Sequence, residues 1–203
     1  MISAQDALKR LQEGNQRFVA NQSEVGKFHP KECASDQEPF AIILGCSDSR
    51  VPAEIVFDQG LGHLFVIRVA GNIVAPSQVG SVEFAAEQFG TRLVVVLGHS
   101  QCGAILATID QLSRPREGQS PNLRSIVERV RPSVETLMNT DVQHNRESLV
   151  QEAVRANIRA SANHLRHGSQ ILEQLIQRDG LIVVGAEYSL DTGEVEFFDG
   201  LSG

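Results

Sequence analysis

The stretches FAIILGCSDSR (residues 40–50) and LVVVLGHSQCG (residues 93–103) decide the fold expected for this chain of 203 residues. Each begins with an uninterrupted apolar run, rich in β-branched residues, that stops at a glycine, which is typical of a strand buried on both faces. Similar runs are LFVI (64–67) and LIVV (181–184), and VEFF (195–198), with one glutamate, indicates a fifth strand. Stretches with helical periodicity separate them. We therefore predict an α/β fold, with a central, mostly parallel sheet of about five strands flanked by helices.

The N-terminal part of the chain is expected to form a helical arm. Ser3 is a suitable N-cap for a first helix, which a polar loop follows. We assign residues 1–38 to this arm and loop, and residues 39–203 to an α/β core that carries the functional site. No linker or repeat divides the chain, so residues 1–203 are predicted to form one domain.

The composition excludes several classes of function. The formal net charge is −7, which argues against nucleic acid or an anionic membrane as a partner. No apolar run approaches the length of a membrane span, and no secretory signal pattern is visible. We expect a cytoplasmic protein, with a processed periplasmic form left open. The chain has three cysteines, Cys33, Cys46 and Cys102. A disulfide scaffold needs a larger, even number, so metal binding or catalysis is the better hypothesis.

Two cysteines and a histidine come directly after buried strands. Cys46 follows the first apolar run, and His99 and Cys102 follow the run at 93–97. Because the carboxyl ends of parallel strands meet at one edge of a sheet, we expect these three side chains to lie together. Thiolates and an imidazole suit zinc, and three protein ligands leave the fourth tetrahedral position open. Taken singly, each residue would be an ordinary buried side chain; the joint placement favours a zinc site.

At these residues the chain resembles the β-class carbonic anhydrases. The segments CSDSR (46–50) and GHSQCG (98–103) look like the two zinc motifs of that family. The segments EGNQRF (13–18), LFVIRVAGN (64–72) and GAEYSLDTGEVEF (185–197) are also similar, so the resemblance covers nearly the whole chain. It implies zinc-dependent, reversible hydration of carbon dioxide to bicarbonate and a proton, by attack of zinc-bound hydroxide.

The resemblance also implies roles for individual residues. Cys46, His99 and Cys102 would hold one Zn²⁺ per subunit. Asp48 and Arg50 would form the catalytic carboxylate–guanidinium pair beside it. If Arg50 released Asp48, the same carboxylate could become a fourth zinc ligand in a closed state.

A substrate pocket is implied as well. Gln37 would contact the substrate, and Phe65, Phe84 and Val69 would form an apolar slot for a small nonpolar gas. Phe84 stands where plant-like members often have tyrosine, so one pocket hydroxyl is missing. Ile43 stands where the bicarbonate-regulated subgroup has tryptophan, so the plant-like subgroup is the one we predict.

The family resemblance further implies a homodimer or a dimer of dimers, with the active cleft at the subunit boundary. Carbon dioxide and bicarbonate would be the small-molecule partners. Two alternatives remain at this stage. One is hydrolysis of a CO₂ analogue, carbonyl sulfide or carbon disulfide, at the same zinc site. The other is a zinc-stabilised binding domain without catalytic activity, which would have no exchangeable position on its metal.

Overall fold

The computed structural model describes residues 2–24, 37–114 and 120–201. Its helices and strands, in chain order, are α1 (Ala4–Val19), β1 (Ala41–Gly45), α2 (Ala53–Val56), β2 (Leu64–Arg68), α3 (Pro76–Gln88), β3 (Leu93–His99), α4 (Gly103–Ser113), α5 (Pro121–Glu135), α6 (Arg146–His167), α7 (Gln170–Arg178), β4 (Ile182–Tyr188) and β5 (Val195–Asp199). Short 3₁₀ helices cover Ala70–Asn72, Leu137–Asn139 and Asp141–His144. Within the described ranges, no helix combines the length and the apolar character that crossing a membrane requires.

The described strands form one sheet of five, in the order β2-β1-β3-β4-β5. β1 to β4 are parallel, and β5 runs antiparallel to β4. This confirms the predicted α/β fold with its mostly parallel sheet. β3 continues beyond the predicted apolar run, because His99 still pairs with Tyr188 of β4.

Helices cover both faces of the sheet, as the continuous apolar strands predict. Successive side chains of a strand point to opposite faces. On one face, Ile42 of β1 and Val94 of β3 pack with apolar residues of α3 to α7. On the other face, Ile43 and Val95 pack with α1 and α2. The central strands are buried along their whole length, which gives the site a rigid support.

The strand order places a crevice at the carboxyl edge of the sheet. From β1 the chain crosses to β2 on one side, whereas β3 lies on the other side of β1. Ligands of open α/β sheets bind at such a switch point, outside the carboxyl ends of the strands. Cys46 directly follows β1, and His99 is the last residue of β3. The topology therefore brings both residues to the mouth of this crevice.

Helix α1 packs against the sheet of its own chain. Ser3 caps it by accepting a hydrogen bond from the backbone N–H of Asp6, as predicted. Gly14 lies so close to α2 that an added Cβ would be 1.8 Å from the Phe57 carbonyl oxygen. The predicted helical start of the chain is therefore confirmed. Of the loop predicted at residues 22–38, residues 25–36 lie outside the described residues.

Candidate metal centre

Cys46, His99 and Cys102 lie together at the carboxyl edge of the sheet. One potential ligand atom from each residue lies within 4.8 Å of the other two. The two Sγ atoms are 4.0 Å apart. Two thiolates on one tetrahedral zinc ion, each about 2.3 Å from the metal, would be about 3.8 Å apart. The spacing of the sulfurs therefore fits the predicted ion.

The imidazole of His99 is oriented for ligation through Nε2. Its Nδ1 lies 2.8 Å from the carbonyl oxygen of Ser100, which can only accept a hydrogen bond, so Nδ1 carries the proton. The Nε2 atom is buried and has no hydrogen-bond partner among the described residues. A buried polar atom without a partner is costly, and a cation between the sulfurs would satisfy it. This atom fits a metal ligand better than a structural histidine.

The turn between β3 and α4 brings His99 and Cys102 to the same side. Gln101 adopts a positive φ of 56°, which few residues other than glycine do. This conformation reverses the chain within three residues. Cys102 is then the N-cap of α4. The positive end of the helix dipole favours a thiolate at that position.

The two thiol groups differ in acidity because each affects the other. The hydrogen bond with Cys102 lowers the pKa of Cys46, although burial opposes the shift. The same contact, together with burial, raises the pKa of Cys102. The backbone N–H of Gly71 lies 3.4 Å from Cys46 Sγ and also stabilises that thiolate. A bound cation would favour the thiolate form of both residues.

Asp48 and Arg50 form the predicted pair beside the three candidate ligands. Nε and Nη2 of Arg50 donate to the two carboxylate oxygens of Asp48 over 2.9 and 2.8 Å, and the backbone N–H of Arg50 donates over 3.0 Å. These hydrogen bonds from Arg50 hold the pKa of Asp48 far below its usual range. The Oδ2 atom of Asp48 lies 3.9 Å from His99 Nε2. An ionised acceptor is therefore fixed at the rim of the centre.

Arg68 contacts the same loop, which the sequence analysis did not foresee. Its Nε donates to the carbonyl oxygen of Cys46 over 3.0 Å, and its Nη2 donates to that of Asp48 over 2.5 Å. Arg68 ends β2 and pairs with Gly45 at the end of β1. Its position directly after the apolar run at 64–67 was the sequence feature that could have indicated this contact. Ser100, whose carbonyl orients His99, was missed because any residue type can supply that group.

The predicted apolar slot is divided within one chain. Val69 lies at the carboxyl edge, where its N–H donates to the Gly45 carbonyl oxygen over 3.1 Å. Phe65 instead pairs with Ile42, near the start of β1. Its ring lies 6.1 Å from that of Phe84, which is 51% exposed on α3.

Gln37 lies at the amino edge of the sheet, opposite the metal centre. It lines a cavity of about 470 Å³ with Phe40 and Phe89. β1 has five residues and separates this cavity from Cys46. At about 3.3 Å per residue, the strand is about 16 Å long. The structure therefore does not bring Gln37 to the metal centre of its own chain.

Fold and site together define an α/β protein with a cysteine–histidine centre at the carboxyl edge of a parallel sheet. A family model described as carbonic anhydrase matches residues 41–195. Carbonic anhydrase 2 of Mycobacterium tuberculosis is 38% identical over 202 residues, which cover 95% of this chain and 92% of that protein. A carbonic anhydrase of Mycolicibacterium smegmatis is 38% identical over 207 residues, covering 94% and 91%. Among solved structures, a tetrameric β-carbonic anhydrase of Sordaria macrospora superimposes with a TM-score of 0.75 at 21% identity, covering 95% and 97%.

The chain belongs to the β-class carbonic anhydrases. This confirms the predicted family and the predicted class of enzyme, and it supports hydration of carbon dioxide. Hydrolysis of a CO₂ analogue and a non-catalytic binding role are not favoured by the comparisons. Membership of the plant-like subgroup stays a prediction.

Proposed function

We propose that the chain hydrates carbon dioxide reversibly at one zinc ion per subunit, held by Cys46, His99 and Cys102. The observation that carries this proposal is the unpartnered, buried Nε2 of His99 beside two sulfurs. When bound, zinc would supply a Lewis acid that lowers the pKa of a water molecule towards 7. The family match supports the reaction, and the donor set supports the metal.

Asp48 and Arg50 are the catalytic residues of the proposal. The Oδ2 atom of Asp48 faces the centre, and an ionised carboxylate can only accept hydrogen bonds. It would take the hydrogen bond of the attacking water, so that an oxygen lone pair points to the carbon of CO₂. Arg50 keeps this carboxylate ionised and aimed through its bidentate contact.

A closed state forms the second part of the proposal. If Arg50 released Asp48, the Asp48 carboxylate would be free to bind a zinc ion held by the three candidate ligands and would exclude water from it. The open arrangement would require contacts between Asp48 and Arg50 such as those described above. Zinc X-ray absorption spectra between about pH 6 and 9, around the pKa of the water, test the switch. Coordination that is unchanged across that range would contradict it.

The substrate pocket is proposed to form between two copies of the chain. Gln37, Phe65 and Phe84 lie away from the metal centre of their own chain, so they can reach one only in a neighbouring copy. Val69 already lies at the carboxyl edge and would join them from the chain that supplies the metal ligands. A homodimer, alone or paired into a dimer of dimers, meets this requirement. We propose a cytoplasmic location, because that reducing compartment would keep the thiols of Cys46 and Cys102 reduced.

Metal analysis combined with stopped-flow CO₂ hydration tests the proposed function. We expect about one zinc per chain, loss of activity after removal by a chelator, and recovery on adding zinc. Full activity of metal-free protein would overturn the proposal. Rates measured with carbonyl sulfide in the same preparations separate the two reactions, since turnover of that compound without CO₂ hydration would reassign the substrate.

A further inference from the structure

We infer that Asn157, on α6, is a positioning residue for the metal centre, acting on Cys46 through Gly71. The inference rests on the proposed ligation of a metal by Cys46. It adds a residue that neither zinc motif contains and that is 111 positions after Cys46 in the sequence. Two hydrogen bonds connect Asn157, on a buried face of α6, to the sulfur of Cys46, and we call this pair of contacts the relay.

The contacts of the relay are direct. Nδ2 of Asn157 donates to the carbonyl oxygen of Gly71 over 2.8 Å. The backbone N–H of Gly71 in turn donates to Cys46 Sγ, with a nitrogen–sulfur distance of 3.4 Å. Asn157 is only 2% exposed, so water does not compete for its amide.

The backbone at Gly71 needs such support. Gly71 has a φ of 70°, and the following residue, Asn72, also has a positive φ of 42°. A Cβ at Gly71 would lie 2.9 Å from the Cβ of Ala104 on α4. Glycine adopts this region readily, but Asn72 is strained there and persists only where surrounding contacts fix the turn. Asn157 supplies one such contact, since it holds the carbonyl of Gly71 towards α6 while the N–H faces the sulfur.

The relay affects the charge that the sulfur offers to a cation. A hydrogen bond to a thiolate withdraws electron density from its lone pairs, so the sulfur donates less to the metal. A metal that receives less charge is a stronger Lewis acid. Because the centre has two thiolates, which donate more charge than two imidazoles would, one N–H directed at Cys46 partly offsets that donation.

Cobalt substitution tests the relay without relying on activity. In the Co²⁺ protein, we expect Asn157→Leu to shift the thiolate-to-cobalt absorption band to longer wavelength, because the sulfur lone pairs are less stabilised. We also expect about tenfold weaker metal affinity in competition with a chelator, because without Asn157 the backbone at Gly71 is held less firmly beside Cys46. If the leucine variant does not fold, Asn157→Ser replaces it in the same measurements, because serine keeps a small polar group but lacks the amide that reaches Gly71. Ser161→Ala is the matched control, since Ser161 is also buried and lies one turn further along α6.

The native chain provides a second readout. In protein loaded with ¹¹³Cd, we expect scalar coupling between the amide proton of Gly71 and the metal through Cys46. Absence of that coupling, or an unchanged cobalt band in a folded Asn157 variant, would overturn the inference while leaving the metal site intact. If Co²⁺ and Cd²⁺ do not bind the native chain at all, the proposed metal ligation fails, and the relay fails with it.

Discussion

At the scale of single residues, the role of Asp48 can be tested independently of the three residues that would hold the metal. Its carboxylate contacts Arg50 by side-chain and backbone hydrogen bonds, whereas the three candidate ligands are buried behind it. A substitution that preserves its shape therefore removes this negative charge without removing one of the three candidate ligands.

Asp48→Asn is expected to keep zinc and to lose most of the hydration activity. The amide has the same shape but carries no charge, and one of its two polar atoms donates instead of accepting. Losing an ionised acceptor at the reacting water is expected to lower kcat by about 10²- to 10³-fold. Stopped-flow rates and metal content together check this. Asp110→Asn, at a carboxylate paired with Arg146 on the surface, is the control; a near-normal rate for Asp48→Asn would contradict the assigned role.

Cys102→Ser is expected to lose metal, because a hydroxyl is a poorer zinc ligand than a thiolate. Zinc per chain, measured by mass spectrometry after dialysis, should fall well below that of the native protein, and activity should fall in proportion. Cys33→Ser, at the cysteine outside the candidate ligand set, should retain full zinc. Equal zinc content in both variants would show that Cys102 is not a ligand.

The three candidate ligands could be predicted from the sequence because each follows a recognisable buried strand. Their joint position then depends only on parallel strands ending at one edge. Asn157 could not be found in this way, since a polar residue within a helical pattern gives no sign that it will face Gly71. The same is true of Arg68, whose two acceptors are backbone carbonyls that every residue possesses.

At the scale of elements, α1 shows why the segment at 13–18 matters for the fold. Asn15 is 6% exposed, and its Nδ2 donates to the carbonyl oxygens of Val56 and Gly193. Its Oδ1 accepts from the N–H of Val195 at the start of β5. One side chain thus ties α1 both to the end of α2 and to the turn between β4 and β5.

Asn15→Ala is expected to lower the free energy of unfolding by roughly 3 kcal/mol, because three backbone groups, one in a buried and two in part-buried hydrogen bonds, lose their partner. Urea unfolding followed by circular dichroism measures the change. Asn163→Ala, at an exposed position on α6, is the control and should alter the free energy by no more than about 0.5 kcal/mol. Equal losses in the two variants would show that the contacts of Asn15 contribute little.

The strands could be predicted more closely than the pocket. Apolar runs indicated all five described strands, most clearly β1 and β3, because burial on both faces leaves a continuous apolar signal there. The last two residues of β3 were missed, since Gly98 and His99 interrupt that signal while their backbones continue to pair with β4. The pocket residues, by contrast, have positions that depend on which edge of the sheet each lies at, which an apolar pattern does not encode.

At the scale of the whole molecule, the sheet itself separates the groups proposed to meet at the substrate. Gln37 precedes β1 at the amino edge, and Asp48 follows β1 at the carboxyl edge. In a dimer with the site at the subunit boundary, each site would take Asp48 from one chain and Gln37 from the other. A substitution of Gln37 in one chain and of Asp48 in the other should then leave one of the two sites with both native residues.

A hybrid dimer tests this arrangement. One chain carries Gln37→Ala and the other Asp48→Asn, with different affinity tags so that only mixed dimers are purified. One of the two sites then has both native residues, because the chain with native Asp48 receives Gln37 from its neighbour, while the other site lacks both. We expect about half the native CO₂ hydration rate per dimer, well above that of either homodimeric variant. If both residues acted within a single chain, neither site of the hybrid would be complete, and its rate would equal the mean of the two variants.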